Sequence, residues 1–314
     1  MKALISIFVI VFAATLSFGQ APTLRIQADD GPNLPADLYY GNTKVKPLRL
    51  RPGTNIPITI NDSDFFVSTQ YTDFLSRFPD PSGFNFWIGG IENCTPKPGC
   101  TELSRIHASA AFFLSIEFKE TGFVVYKMYK AAFNDLPGKP VPVRRQPFMA
   151  DTRTIGNGVI VNQQGWQQVL ENNKNSFALA FVQRPEFQAA YPAGMTADEF
   201  VNQLDNNAGK VLSDSEKANL VSILAGDAAN PTKRASVVRS IAENSDLFSQ
   251  QQKNKAFVLM QYFGYLRRNP DEGQDTNFDG YNFWLNKLNQ FNGDFIQAEM
   301  VRSFLVSGEY QNRF

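Results

Sequence analysis

Histidine and cysteine are nearly absent from this sequence, and their scarcity limits the chemistry that the chain can perform. His107 is the only histidine, and Cys94 and Cys100 are the only cysteines. His107 would have to serve any catalytic triad alone, and no positioned serine or cysteine nucleophile accompanies it. The sequence also lacks a Gly-x-Ser-x-Gly elbow, a phosphate-binding loop and a His-Glu-x-x-His motif. We therefore interpret His107 as a helix-surface or core residue, and we predict a protein that is not an enzyme and has no catalytic residues.

Neither sign of charge predominates. Thirty Lys and Arg residues balance thirty Asp and Glu residues, and no long block of either sign occurs. Such a balance shows neither the basic footprint of a nucleic-acid-binding protein nor a polybasic membrane surface. After residue 19, no run is long and apolar enough to span a bilayer. We expect no nucleic-acid partner, and we do not expect an integral membrane protein.

The first residues have the order of a secretory signal peptide. Lys2 precedes an uncharged apolar run, which ends in small residues at Ser17 and Gly19. A membrane helix is the alternative, but the run is short and lacks a basic stop-transfer flank. We predict a signal peptide over residues 1–19, cleavage near Gly19, and a product that is secreted, extracellular or periplasmic.

The two cysteines lie close together in sequence. Cys94 and Cys100 flank a Thr-Pro-Lys-Pro-Gly loop that can turn the chain back on itself. In an oxidising compartment this spacing predicts a disulfide. Half of a zinc site is the rival interpretation, but it needs further thiol or imidazole ligands.

The chain contains an internal repeat with two clear copies. The opening motif of the first copy consists of Phe66, Val67, Tyr71, Leu75, Arg77, Pro79, Asp80, Gly83, Phe86 and Trp87. Its counterpart in the last copy consists of Phe257, Val258, Tyr262, Leu266, Arg268, Pro270, Asp271, Gly280, Phe283 and Trp284. Every spacing up to the aspartate is the same in both copies.

Each copy closes on a Phe-x-x-Ser-x-Glu-aromatic motif. The closing residues are Phe112, Ser115, Glu117 and Phe118 in the first copy, and Phe304, Ser307, Glu309 and Tyr310 in the last. Two fainter copies open at Phe123 and Phe200. Their closing acids are Glu186 and Asp246. Four units therefore occupy residues 66–314.

The periodicity inside the units is helical, since apolar residues return every three to four positions. We predict that the first helices of the two clear copies end before Pro79 and Pro270. Second helices should span about 84–91 and 281–291, with Trp87 and Trp284 facing inward. Third helices should span about 105–114 and 295–306. The predicted fold is mainly α: a degenerate helical repeat or bundle of four units with a small β-rich N-terminal lead-in.

Two regions fall outside the helical pattern. Residues 20–64 alternate in a strand-like way, at 24–27 and again at 58–61. Residues 134–165 carry four prolines and a Gly-Asn-Gly turn, which predicts an irregular insertion that includes a short hairpin. We divide the chain into a β-rich segment (20–64), units one and two (65–192, with the insertion at 134–165) and units three and four (193–314).

The repeated signatures resemble those of the bacterial family called domain of unknown function 4214. The resemblance covers about residues 65–122 and 254–314, and the middle of the chain weakly. It implies an exported helical module, similar to the linker domains of phycobilisomes, that binds or scaffolds other proteins. It supplies no catalytic residues.

One acidic stretch, Asp275-Thr-Asn277-Phe-Asp279-Gly, matches the first half of an EF-hand calcium loop. The candidate calcium ligands are Asp275, Asn277, Asp279 and Tyr281. Position twelve, where an EF-hand has Glu, is Asn286. The first copy reaches its glycine without this stretch, so the alternative is a solvated loop in which Asp279 caps the next helix.

The remaining acids recur in every unit, whereas a catalytic carboxylate pair is needed only once. We interpret Glu117, Glu186, Glu309 and Asp246 as helix-end or turn-capping groups, and the Arg77/Asp80 and Arg268/Asp271 pairs as turn-fixing ion pairs. The function predicted is an extracellular or cell-surface interaction or scaffolding module. Loops 92–102, 134–165 and 270–280 would contact a protein or glycan. The alternative is a secreted carbohydrate-active hydrolase or a glycan-binding protein.

Overall fold

The computed structural model describes residues 24–28, 36–46, 48–94, 99–243 and 246–314, so the predicted signal peptide (residues 1–19) lies outside the described residues. The described part is mainly helical with a small antiparallel sheet near the N-terminus, which confirms the predicted fold class. The helices are α1 (Ser63–Leu75), α2 (Pro81–Glu92), α3 (Cys100–Leu114), α4 (Ile116–Glu120), α5 (Gly122–Phe133), α6 (Arg145–Gly156), α7 (Trp166–Val182), α8 (Pro185–Ala190), α9 (Ala197–Ala208), α10 (Asp214–Leu224), α11 (Pro231–Glu243), α12 (Asp246–Met260) with a π-helical segment directly after it (Gln261–Leu266), α13 (Asp279–Gln290), α14 (Met300–Val306) and α15 (Gly308–Gln311).

The sheet has three strands in the order β1 (Leu24–Ala28), β2 (Ala36–Tyr40) and β3 (Thr43–Val45), with antiparallel pairing throughout. The strand predicted at 58–61 is wrong. The Thr59 N–H donates to Asp62 Oδ2 at 2.7 Å, and the Asn61 N–H donates to Thr59 Oγ1 at 3.2 Å. After an isolated bridge between Leu50 and Pro57, these local side-chain bonds turn the chain into α1.

The first and last units share their local geometry. Helix α1 ends where Ser76 adopts a left-handed conformation (φ 54°), and the π-helical segment ends at Arg267 in the same way (φ 52°). Both ends precede the prolines, as predicted. The second helices form as α2 and α13, and Trp87 and Trp284 pack against the core.

Two predicted boundaries need correction. The insertion at 134–165 is not wholly irregular, because residues 145–156 form α6, and no strand occurs in this fully described range. Its last proline, Pro147, lies in the first turn of α6, where a missing N–H breaks no helical bond. The third helix of the last unit starts only at Met300. Before it, Asp294 Oδ1 accepts the N–H groups of Ile296 and Gln297 and holds a turn.

The four units form a closed bundle. Helix α5 of the second unit packs against α9 and α11, while α1 packs against the π-helical segment and α3 against α14. The first unit therefore contacts the last. At this contact a Cβ on Gly264 would come within 2.7 Å of the Phe74 ring, and the Phe113 and Phe257 rings stack 4.3 Å apart. The contacts of α5 with α9 and α11 cross the boundary drawn at 192/193. That boundary therefore divides the sequence and not the packing.

Asp73 ties the first unit to the last. Its carboxylate is fully buried and accepts from Arg267 Nε and Nη2 at 3.0 and 2.8 Å. It also accepts from Arg313 Nη1 and Nη2 at 2.8 and 3.0 Å. A buried carboxylate with two arginine partners is costly to break, because the groups left behind are desolvated charges.

Asp73→Asn should therefore lower the free energy of unfolding by about 3–5 kcal/mol, measured by urea denaturation. Glu102→Gln is the matched control, because Glu102 joins the same two units through Arg302 at 2.7 Å, but with side chains 46% and 52% exposed. Its loss should stay below about 1 kcal/mol. Equal losses in the two variants would contradict the role given to Asp73.

Candidate functional site

The turn after α1 is organised around one arginine. Arg77 donates from Nε and Nη2 to the two carboxylate oxygens of Glu117 at 2.6 and 2.7 Å, and from Nη1 to Asp80 at 3.4 Å. Its guanidinium lies 4.8 Å from the centre of the Tyr71 ring. Asp80 in turn accepts the Gly83 N–H at 2.9 Å and caps α2. The predicted Arg77–Asp80 pair is present, but Glu117 is the closer partner of the arginine.

The last unit repeats this arrangement with one exchange. Arg268 donates to Glu309 at 2.5 and 3.0 Å and lies over the Tyr262 ring at 5.4 Å. Its second acid is Asp275, at 2.7 Å, and not the predicted Asp271. In the last copy, Asp275 thus pairs with the arginine, as Asp80 does in the first copy.

Two of the repeated closing acids are ion-pair partners and not caps. Glu117 and Glu309 lie in the first turns of α4 and α15, but the caps are the serines before them. Ser115 Oγ accepts the Phe118 N–H at 3.0 Å, and Ser307 Oγ accepts the Tyr310 N–H at 3.1 Å. The helix-end interpretation is confirmed for these two glutamates, but the capping alternative is wrong, because a short serine reaches the helix N–H groups while a longer glutamate reaches across to the turn.

Glu186 lies in the first turn of α8. The Asp246 side chain lies outside the part of the chain that the structure describes.

The candidate calcium ligands have protein partners. Asp275 pairs with Arg268, the Asp279 N–H donates to Asn277 Oδ1 at 2.9 Å, and Asn277 Nδ2 donates to Asp279 Oδ2 at 2.8 Å. Tyr281 is buried in α13 and donates its hydroxyl to the Lys255 carbonyl at 3.2 Å. Among the described residues, no group of three or more His, Cys, Asp or Glu side chains is arranged to hold a metal. Helix α13 begins at Asp279, before the glycine at which an EF-hand loop turns.

Calcium binding stays a prediction. To bind here, the ion must compete with Arg268 for Asp275. If calcium binds, the melting temperature in excess calcium should exceed that in chelator, and Asp275→Ala should abolish the difference. Asp294→Ala, in a turn outside this loop, is the control and should keep it. An unchanged melting temperature in the parent protein would exclude the site.

Two of the loops predicted to contact a partner contact each other. Lys139 and Arg144, at the start of the insertion, both pair with Asp271, and Arg144 also reaches Glu272 at 2.5 Å. The Arg145 N–H donates to Asn269 Oδ1 at 2.8 Å. This part of the insertion is therefore attached to the turn of the last unit.

The third predicted loop, 92–102, is closed by the Cys94–Cys100 disulfide, which confirms the predicted pairing. His107 is exposed on α3, in agreement with its interpretation as a helix-surface residue.

An exposed phenylalanine recurs beside each inward tryptophan. Phe86 is 70% exposed and Phe283 57% exposed. Each ring lies 5.0 Å from the ring of the following tryptophan, at interplanar angles of 78° and 77°. The sequence predicted that the tryptophans face inward, but it did not predict that the neighbouring phenylalanines are exposed. The available signal was their position next to Trp, about 100° away around the helix.

Comparisons with models of protein families, with curated proteins and with solved structures found no match. Within the described ranges, no helix has the length and apolar character needed to cross a membrane.

The tyrosine ring that lies under the arginine of each turn leaves no room for a side chain at the glycine of that turn. A Cβ on Gly83 would overlap the Tyr71 hydroxyl, and a Cβ on Gly280 would lie 2.7 Å from the Tyr262 hydroxyl. Both positions are helical, where alanine is otherwise favoured over glycine by about 1 kcal/mol. The close approach explains why the repeat has glycine here.

Gly83→Ala should destabilise the protein by about 1–3 kcal/mol in spite of its helix propensity. The double variant with Tyr71→Phe should recover most of that loss, because the overlapping hydroxyl is gone. Gly90→Ala, in the same helix with open space around it, should be neutral or stabilising. Thermal and urea unfolding measure all three, and a Gly83→Ala protein as stable as Gly90→Ala would refute the packing argument.

Proposed function

We propose that this chain is an exported interaction module of the kind represented by domain of unknown function 4214, which binds a protein or glycan at the cell surface through Phe86 and Phe283. The exposed aromatic pair in each clear copy carries the proposal. Large exposed rings next to a rigid core are favoured contact groups, because they bury much apolar area at little cost in side-chain entropy.

The two phenylalanines are not needed by the core. Their tryptophan neighbours fill the space against Phe112 and Phe304, with ring centres 5.5 and 5.7 Å apart. An exposed phenylalanine gives little to folding, yet both copies have one in the same orientation, although the sequences between them have diverged. A binding role accounts for this agreement.

The environment of Asp80 supports a non-catalytic role for this acid. Burial alone raises the pKa of Asp80, but the Ser82 hydroxyl, the Gly83 N–H and Arg77 together lower this pKa below its ordinary value. A glycosidase needs one carboxylic acid with a raised pKa, which protonates the leaving group. Asp80, beside an arginine, is held in the opposite state.

Phe86→Ala and Phe283→Ala should each weaken binding to cell-surface material about tenfold, and the double variant should lose it, with unchanged melting temperatures. Binding of labelled protein to an immobilised glycan panel and to isolated cell-envelope protein measures this. Tyr40→Ala, which removes a ring that is 50% exposed outside the repeat, is the control and should bind normally.

Two results would contradict the proposal. Binding that survives in the Phe86→Ala/Phe283→Ala double variant would remove the aromatic pairs from the site. Release of reducing sugar ends from a polysaccharide by the parent protein would favour the alternative, a secreted carbohydrate-active hydrolase.

A further inference from the structure

The second half of the insertion lies against the turn of the first unit and leaves a cleft there. The cleft has a volume of about 570 Å³ and is bordered by residues 75–81 on one side and by the end of α6 and residues 157–163 on the other. It is within the size range of small-ligand sites. We call it the Arg153 cleft.

Arg153 lines this cleft without a compensating group. Its Nε and Nη2 atoms are buried and have no hydrogen-bond acceptor, and no carboxylate pairs with it among the described residues. Ser76 Oγ, across the cleft, is also buried without a partner. Buried polar groups are nearly always paired, and an uncompensated guanidinium is costly, so an unpaired arginine at a cleft indicates an external acceptor.

The two repeated turns differ in how the charges of the insertion are paired. At the turn of the last unit, the insertion supplies Lys139 and Arg144, and both are neutralised by Asp271. At the turn of the first unit, the insertion supplies Arg153, but Asp80 is already occupied by Ser82, Gly83 and Arg77. One end of the insertion is closed by ion pairs, while at the other end Arg153 lines the cleft without an ion-pair partner.

The walls of the cleft indicate the rest of the ligand. The Phe78 ring is 57% exposed at its rim, and the Asn157 and Gln163 side chains contribute amide groups. An open aromatic ring with amides and a hydroxyl suits a sugar, whose C–H face packs on the ring while its hydroxyls exchange hydrogen bonds. A peptide is less suited, because the cleft lies between helix ends and turns and offers neither a strand edge nor a helix groove.

We propose that the Arg153 cleft binds an acidic glycan, with Arg153 receiving the carboxylate of a uronic-acid residue and Phe78 packing against the sugar ring. Arginine matches a carboxylate by two parallel N–H donors. The two buried nitrogens must turn toward the cleft to engage a carboxylate, and no hydrogen bond within the described protein holds them in place. This site goes beyond the aromatic pairs of the proposed function and does not include Phe86 or Phe283.

The test is titration calorimetry of the parent protein with a tetragalacturonate, with a neutral tetrasaccharide and with a tetraglutamate peptide as comparison arms. The tetragalacturonate should bind, and the other two should bind at least tenfold more weakly. Arg153→Met should reduce affinity for the tetragalacturonate about tenfold to a hundredfold, and Arg153→Lys, which loses the paired donors, should be intermediate.

Stability separates a binding role from a structural one. Because Arg153 has no partner to lose, Arg153→Met should leave the melting temperature unchanged or raise it. A large fall in melting temperature, equal affinity of the parent and Arg153→Met, or tighter binding of the peptide would each overturn the inference. Its failure is distinguishable from that of the proposed function, because the Phe86→Ala/Phe283→Ala variant keeps Arg153 and should still bind the tetragalacturonate.

Discussion

The buried ion cluster at Asp73 is the constraint on which the arrangement of the units depends. One carboxylate in α1 binds two arginines of the last unit, so α1 must lie against the π-helical segment. Arg267 is also the left-handed residue that ends this segment, and the next residue, Arg268, forms the centre of the last turn. The position of that turn is therefore tied to an aspartate of the first unit. A buried charge of this kind disfavours any packing that would keep Asp73 buried without its arginines, because such a carboxylate would be desolvated and unpaired.

The divergence of the repeats gives the molecule its asymmetry. Both turns have an arginine over a tyrosine ring with a glutamate from the closing motif, yet their second acids differ, as Asp80 and Asp275 show. The insertion spans both turns and meets them differently, with Asp271 neutralised at one and Arg153 unpaired at the other. The two turns thus differ, since one is closed by ion pairs and the other leaves Arg153 unpaired, and the glycan site that we propose lies where the repeat departs from its own pattern.

Most of the architecture was predictable from sequence because its signals are local. Apolar periodicity and the prolines predicted the helices of the clear units, and the six-residue spacing predicted the disulfide. Helix α6 was missed because prolines before and within its first turn hid it, although a proline there is tolerated. The ion-pair partners of the acids could not be predicted from local sequence. Glu117 pairs with Arg77, forty residues away, and the acid that pairs with Arg268 depends on how the longer turn of the last unit folds. Arg153 could not be identified at all, since the absence of a partner is a property of the whole packing.

Closure of the bundle also sets the order in which the chain can fold. The bonds from Asp73 to Arg267 and Arg313 join residues separated by 194 and 240 positions. Loop closure over such distances carries an entropic cost. Helices α1 and α3 can form early, but the faces that they bury against α14 and the π-helical segment have no partner until the last unit has been synthesised. The contacts of Asp73 and Phe74 with the last unit can therefore form only after that unit has been synthesised.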